Sequence, residues 1–253
     1  MYLSVRFRFL PAFFLVSTAF AGVQPEPDAV LSSRSELSLS RIVIGFVGGF
    51  VRHNDPRHGP VQFAQRVRRD APAGTYVQVF ENRRRRNAYK TVIRLLDTNH
   101  DGLLSSEEKN RSRIIIYGHS WGAAAAVLLA RDLRGAHIPV ALIVQVDSVA
   151  KPWQDDSVVP DNVSEAINFY QPHGLIHGRQ QITAADPSKT QILGNYLFDY
   201  KKTPAECHGS SWIDRYFTPS HAQSECDPRI WSQVEEMVLQ RLASGTAAVA
   251  QTP

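Results

Sequence analysis

From residue 41 onward, short apolar runs alternate with amphipathic segments. Ile42–Val47 (IVIGFV), Tyr76–Phe80 (YVQVF), Ile114–Tyr117 (IIIY), Ile138–Val146 (IPVALIVQV) and Ala166–Tyr170 (AINFY) are apolar or nearly so over the length of a strand, and Gln191–Leu197 is a sixth candidate. A strand with one wet face alternates apolar and polar residues, whereas a continuous run implies burial on both faces, as in a parallel sheet. The intervening segments carry the helical period. Val61, Ala64 and Val67 share a face over residues 61–69, and Tyr89, Val92, Ile93 and Leu96 fall at i, i+3, i+4 and i+7 over residues 87–96. Residues 123–133 are a strongly apolar helix closing at Gly135, and Ile230, Val234, Met237 and Val238 mark a terminal one. Strands and helices in alternation predict one α/β domain over residues 41–243, a mostly parallel sheet flanked by helices on both faces.

The N-terminus follows another logic. Residues 1–8 carry Arg6 and Arg8, residues 9–20 are apolar, and Ala19-Phe20-Ala21 is a small-x-small pattern. These are the three parts of a cleavable signal peptide. The apolar run is short of the about 20 residues that span a bilayer and contains Pro11. The reading is a leader over residues 1–21, a polar lead-in over 22–40 and a flexible tail over 244–253, with secretion or export to a periplasm. In an oxidising compartment Cys207 and Cys226, the only two cysteines, are expected to pair.

Charge narrows the partners. The chain of 253 residues carries 28 Lys+Arg against 24 Asp+Glu. Without Arg6 and Arg8 the balance is 26 against 24, too even for a dedicated nucleic-acid protein. The run Arg83–Arg86 precedes a helix, where positive charge opposes the dipole. It reads either as a solvated surface turn or as an attractor of acidic substrate or anionic membrane surface, at most a peripheral contact. Trp153, Trp212 and Trp231 read as core or pocket walls. No obligate protein partner is implied.

Gly118-His119-Ser120-Trp121-Gly122 is G-x-S-x-G set between strand IIIY and helix AAAAVLLA. That context makes the motif a nucleophile elbow, a tight strand-to-helix turn that presents the serine hydroxyl at the sheet's end. A serine nucleophile requires a base, and the base an orienting carboxylate. Here the sequence resembles the α/β-hydrolase fold, in its lipase and esterase branch, over about residues 42–238. The resemblance implies Ser120 as nucleophile, the N–H of Trp121 as one oxyanion donor, and a second donor from the loop after an early strand. Phe50 after Gly48-Gly49 is preferred for that donor, with Phe46 as the other possibility. The chain order of this fold, Ser then acid then His, and the position of Pro219-Ser220-His221 before the terminal helix favour His221 as base. His137, His173, His177 and His208 are the other histidines downstream. Asp147, at the end of Ala141–Val146, is the preferred acid, with Asp155, Asp156 and Asp186 as rivals. The expected activity is hydrolysis of a small-molecule or lipid ester, with a thioesterase, amidase or peptidase, or a non-catalytic calcium-dependent binding protein, as alternatives.

Asp97-Thr98-Asn99-His100-Asp101-Gly102-Leu103-Leu104-Ser105-Ser106-Glu107-Glu108 fits the EF-hand loop D-x-[DN]-x-[DN]-G-x5-E. Asp97, Asn99 and Asp101 offer side-chain oxygens, Leu103 its carbonyl, Ser105 a hydroxyl or a water, and Glu108 a bidentate carboxylate. Sensor proteins pair such loops and this chain has one, so the expected cofactor is a structural Ca2+ that stiffens the approach to Ser120.

Overall fold

The computed structural model describes residues 40–207 and 218–244. The expected leader, most of the lead-in and tail, His208 and Trp212 lie outside them.

Six strands form one sheet in the order β2-β1-β3-β4-β6-β8, every neighbour pairing being parallel. They are β1 (Ser40–Val47), β2 (Tyr76–Glu81), β3 (Ser112–His119), β4 (Val140–Val146), β6 (Val163–Tyr170) and β8 (Gln191–Leu197). The two-residue strands β5 (Val158–Val159) and β7 (Thr183–Ala184) pair separately. β4 begins two residues later than its apolar run because Pro139 has no N–H to give a ladder.

Side chains alternate across each strand, and both sides are dry. Ile42, Ile44, Phe46, Ile114 and Ile116 pack in one cluster with Val92 and Leu96 of α2 (Arg85–Leu96) and Leu129 and Leu133 of α4 (Trp121–Gly135). Val43, Val47, Ile115 and Tyr117 pack in another with Phe63 and Val67 of α1 (Gly59–Asp70) and Trp231, Val234 and Val238 of α6 (Pro228–Ala243). The architecture is thus the expected α/β one, a parallel sheet covered on both faces.

Two short helices carry no helical period, α3 (Ser106–Asn110), whose stretch reads as helix-prone from its charged residues, and α5 (Pro219–Cys226), which escaped the sequence reading. Both are polar and too brief to show an apolar stripe. Each has a local start signal. Ser105 caps α3 in a reciprocal capping box with Glu108, and Pro219 opens α5 with its preset φ. The tryptophans divide: Trp231 lies in the core as expected, while Trp153 is fully exposed, against expectation, at a positive φ of 68° after β4. Among the described residues no helix is long and apolar enough to cross a membrane.

β1 and β3 are neighbours at the point where the strand order reverses, the chain leaving β1 toward β2 and β3 toward β4. Parallel strands end on a common edge, and at such a switch point the two connections diverge and open a crevice. Phe46 is level with Gly118 and His119 with Val146, so the loop after β1, the turn after β3 and the end of β4 meet there.

Candidate active site

Ser120 joins β3 to α4 at φ 57° and ψ −128°, a conformation costly for a residue with a Cβ. The glycines either side make it attainable. A Cβ on Gly118 would lie 2.4 Å from the carbonyl carbon of Gly122, and one on Gly122 would lie 2.3 Å from the carbonyl oxygen of Phe46. The turn is therefore sealed against β1, and the Ser120 amide is tied to the Val146 carbonyl at 3.0 Å.

The residues singled out from the sequence meet at this turn. His221 Nε2 lies 2.9 Å from Ser120 Oγ, and His221 Nδ1 lies 2.6 Å from Asp147 Oδ2. His221 stands in the first turn of α5 rather than on an open loop. Asp147 is wholly buried at the end of β4. Its carboxylate accepts hydrogen bonds from the Gln171 amide to Oδ1 at 3.1 Å and from Gln171 Nε2 to Oδ2 at 2.9 Å. The backbone of Gly178 closes over it, since a Cβ there would be 2.1 Å from Oδ1. A buried ionised carboxylate is tolerated only with such donors around it.

The other candidates are engaged elsewhere. His173 Nε2 lies 2.9 Å from Asp199 Oδ1, His177 is exposed, and His137 stands two residues past the end of α4 at positive φ. Asp155 faces Arg131 and Ser157, Asp186 bonds Ser188, and Asp156 is buried on Arg179 at 2.6 Å and on the Ser148 hydroxyl at 2.6 Å. Asp156 thereby holds the residue that follows Asp147.

Behind His221 lies a second polar layer that the sequence did not announce. The centre of the His119 ring lies 4.7 Å from that of His221, the two rings tilted by 33°. Its Nε2 is 3.1 Å from Ser224 Oγ, a hydroxyl also 2.7 Å from the His221 carbonyl and 3.3 Å from Asp147 Oδ2. Burial pushes His119 down to about 4, so the ring beside His221 stays neutral. Glu225 bonds His58 Nδ1 at 2.9 Å. Burial opposes ionisation at both, but the pair outweighs it, so Glu225 is lowered and His58 raised. The disulfide Cys207–Cys226 closes α5, with Cα atoms 5.7 Å apart.

Trp121 opens α4, where first-turn amides have no carbonyl four residues back. Gly48 passes directly over Ser120, a Cβ there lying 2.8 Å from Ser120 Cβ. The loop it begins carries Phe50, 83% exposed, edge-on to Trp121 at 5.5 Å between centroids. Phe46, the other possibility, is buried inside β1 between β2 and β3. Asn82, which sequence reasoning missed, holds this loop: Nδ2 donates to the carbonyls of Gly49 at 2.6 Å and Val47 at 3.3 Å, and Oδ1 accepts from Lys151 Nζ at 2.6 Å.

The twelve-residue acidic loop runs from the end of α2 into the first turn of α3, which holds its last three residues. Gly102 has φ 79°, its amide donates to Asp97 Oδ2 at 3.1 Å, and the Leu103 amide donates to Asp101 Oδ1 at 2.7 Å. The Glu108 carboxylate accepts from the Ser105 and Thr98 amides, each at 2.9 Å, and these donors, Ser105 first, hold it down at about 2. Asp97 Oδ1 is buried without a hydrogen-bond partner. Among the described residues the only trio of potential ligands converging within 4.8 Å is His119, Asp147 and His221. The carboxylates of the loop do not converge as closely.

No curated protein matches the chain in sequence. Solved structures similar to it include RedJ, obtained with a polyethylene glycol molecule in its active site (11% identity, TM-score 0.39, 90% of this chain and 98% of that one). Others are a cutinase-like protein from Cryptococcus sp. (11%, 0.37, 82% and 97%) and a thermostable esterase from Pseudomonas putida (11%, 0.39, 83% and 75%). The profile of one family, described as Lipase (class 3), matches residues 55–178. That stretch runs from the approach to α1 to Gly178 and includes Ser120 and Asp147. Over it the chain is similar to class 3 lipases, which supports a hydrolase of the lipase and esterase kind.

Proposed function

We propose that this protein is an exported serine hydrolase that cleaves carboxylic esters, acting as a lipase or carboxylesterase. The observation that carries the reading is the unbroken chain from Ser120 Oγ through both nitrogens of His221 to the buried Asp147, at 2.9 and 2.6 Å. Ser120 Oγ attacks the ester carbonyl while His221 Nε2 takes its proton. Asp147 fixes the tautomer with Nδ1 protonated and stabilises the imidazolium. The tetrahedral oxyanion is held by the N–H of Trp121 and by that of Phe50 in the loop after β1. Collapse transfers the proton from His221 to the departing alcohol and leaves an acyl-Ser120. Water, deprotonated by His221, then attacks the acyl carbonyl and releases the acid and free Ser120.

Intact-mass labelling with a fluorophosphonate tests this. One adduct per chain, absent in Ser120→Ala, is expected, together with turnover of p-nitrophenyl esters. No adduct, or an adduct that survives the substitution, overturns the reading and leaves a non-catalytic binding role.

We also propose that residues 97–108 hold a structural Ca2+ through Asp97, Asn99, Asp101, the Leu103 carbonyl, Ser105 and Glu108. Support comes from the all-oxygen donor set, which suits a hard cation, and from the unpartnered Asp97 Oδ1. Glu108 must turn from Thr98 and Ser105 to bind. A Kd of about 10⁻⁴–10⁻³ M gives about 1.4–2.7 kcal/mol of stabilisation at about 10 mM Ca2+, read as a higher melting temperature. An equal rise in Asp97→Ala, or no rise, refutes it.

A further inference from the structure

The four arginines that follow β2 do not behave alike. Arg84 pairs with Glu81 at 2.6 Å and Arg85 with Asp132 at 2.8 Å. Arg83 and Arg86 are exposed, and among the described residues neither has a carboxylate in ion-pair range. Arg83 lies in the 3-10 turn of residues 82–84 that leads into α2, and Arg86 in the first turn of α2, where the helix dipole and the neighbouring arginines disfavour positive charge. Lys151, from the segment after β4, likewise has no carboxylate in ion-pair range among the described residues. Its ammonium donates to Asn82 and lies 4.8 Å from the centre of the Trp121 ring.

These three cations line one cleft of about 380 Å³, whose walls also include Arg85 and no Asp or Glu. One wall is Trp121, the residue after the nucleophile. The cleft therefore adjoins the turn that carries Ser120, on the same edge of the sheet. It is large enough for a phosphate group with a few attached carbons. Guanidinium groups present forked donors that match tetrahedral oxyanions, and an ammonium adds a point charge. Uncompensated cations gathered at a helix N-terminus are unfavourable in the empty protein, and an anion between them removes that cost. The link from Lys151 through Asn82 to the Gly49 carbonyl joins the cleft to the loop that covers Ser120.

We propose that this cleft binds the phosphate group of the ester substrate, so that the enzyme selects phosphorylated esters over neutral ones. The inference rests on the ester-hydrolase reading, with Arg83, Arg86 and Lys151 as specificity determinants. The phosphate has two possible sources, a soluble phosphate ester or a phospholipid headgroup.

The test compares kcat/KM for a short-chain acyl glycerol phosphate below its aggregation limit with that for the same acyl glycerol without phosphate. A second arm compares phosphatidate with diacylglycerol, each at the same mole fraction in phosphatidylcholine vesicles. The wild-type full chain is expected to prefer the phosphorylated member in at least one arm, the soluble arm identifying a solute and the vesicle arm a headgroup. In Arg83→Gln/Arg86→Gln, both changes being at exposed side chains, the preference ratio should fall by about tenfold or more, as expected for lost hydrogen bonds to a charged group. Raising the salt should lower the wild-type ratio and leave that of the variant nearly unchanged. Inorganic phosphate titrated calorimetrically into Ser120→Ala should bind, and Arg86→Glu on that background should abolish the heat. A wild-type ratio near one in both arms, an unaltered ratio in the double variant, or no phosphate heat overturns the proposal. If the wild type hydrolyses none of these esters, fluorophosphonate labelling decides whether the hydrolase reading stands, and the phosphate titration decides whether the cleft takes an anion.

Discussion

Replacing Gly122 by alanine tests whether the seal between the nucleophile turn and β1 sets the stability of this edge. The new methyl would stand 2.3 Å from the Phe46 carbonyl oxygen and 2.9 Å from the Val47 carbonyl carbon. Relief to about 3.0 Å needs a separation of about 0.7 Å between α4 and β1. Neither side yields readily. Phe46 is level with Phe80 on β2 and with Gly118 on β3, so moving it stretches two ladders. The inner face of α4 is buried at Ala123, Ala126, Ala130 and Leu133. Overpacking against side chains costs about 1–3 kcal/mol, and here both partners are backbone, which puts the cost at the top of that range. The helix preference of alanine over glycine returns up to about 1 kcal/mol. The net loss of about 2 kcal/mol corresponds to a melting temperature about 4–8 °C lower for a chain of this size. Gly135→Ala, at the other end of the same helix with nothing within 4 Å of its Cβ, is the control and should melt at or slightly above the wild-type temperature. Thermal melts followed by circular dichroism, with fluorophosphonate labelling rates alongside, read both effects. Equal shifts in the two variants, or a wild-type melt for Gly122→Ala, would refute the argument.

Asp147→Asn must point an NH2 either at His221 or at the Gln171 donors, so the wrong imidazole tautomer is favoured; kcat for ester hydrolysis should fall by about 10⁴, and a loss below tenfold would remove Asp147 from the mechanism. Gln171→Leu deletes the 2.9 Å donor to Asp147 Oδ2 and should destabilise the protein by about 1.5–3 kcal/mol in urea unfolding, with kcat reduced more than KM changed. His119 supplies a pH signature. With its folded value depressed to about 4, the unfolded chain binds a proton that the native state refuses between pH 6.5 and 4. Stability from this group is therefore full above pH 6.5 and falls by about 1.4 kcal/mol per pH unit below it. His58, raised in the fold, titrates in the opposite sense, so the quantity to measure is the difference between wild type and His119→Gln; parallel stability curves from pH 4 to 6.5 would contradict the assignment.

The sequence made some of this visible and hid the rest, and the division has a physical basis. Strands dry on both faces must be apolar throughout, so β1, β3 and β4 announced themselves. Ser120 could be picked out because the backbone of its turn demands glycine at fixed neighbouring positions. A residue that acts through partners distant in the chain has no such local mark. Gln171 reaches Asp147 across 24 positions, Ser224 reaches Asp147 across 77, and Asn82 reaches Gly49 across 33. Each is an ordinary polar residue near the end of an element until the sheet brings the ends together. His221 was legible by chain order but its helix was not, since PSHAQSEC has no apolar stripe to reveal it.

The arginine run is the intermediate case. Its four charges are plain in the sequence, but only the fold separates Arg84 and Arg85, neutralised by Glu81 and Asp132, from Arg83 and Arg86, which have no such partner among the described residues. The same register that sets Gly118 beside Phe46 brings the end of β2 next to that of β1, and with it Asn82 under the loop over Ser120. The proposed selectivity and the proposed chemistry thus share one edge. An anion that engages Lys151 acts on a group whose other contact, Asn82, holds the carbonyl of Gly49, so substrate charge can be felt at the oxyanion loop through two hydrogen bonds rather than through any movement of the sheet.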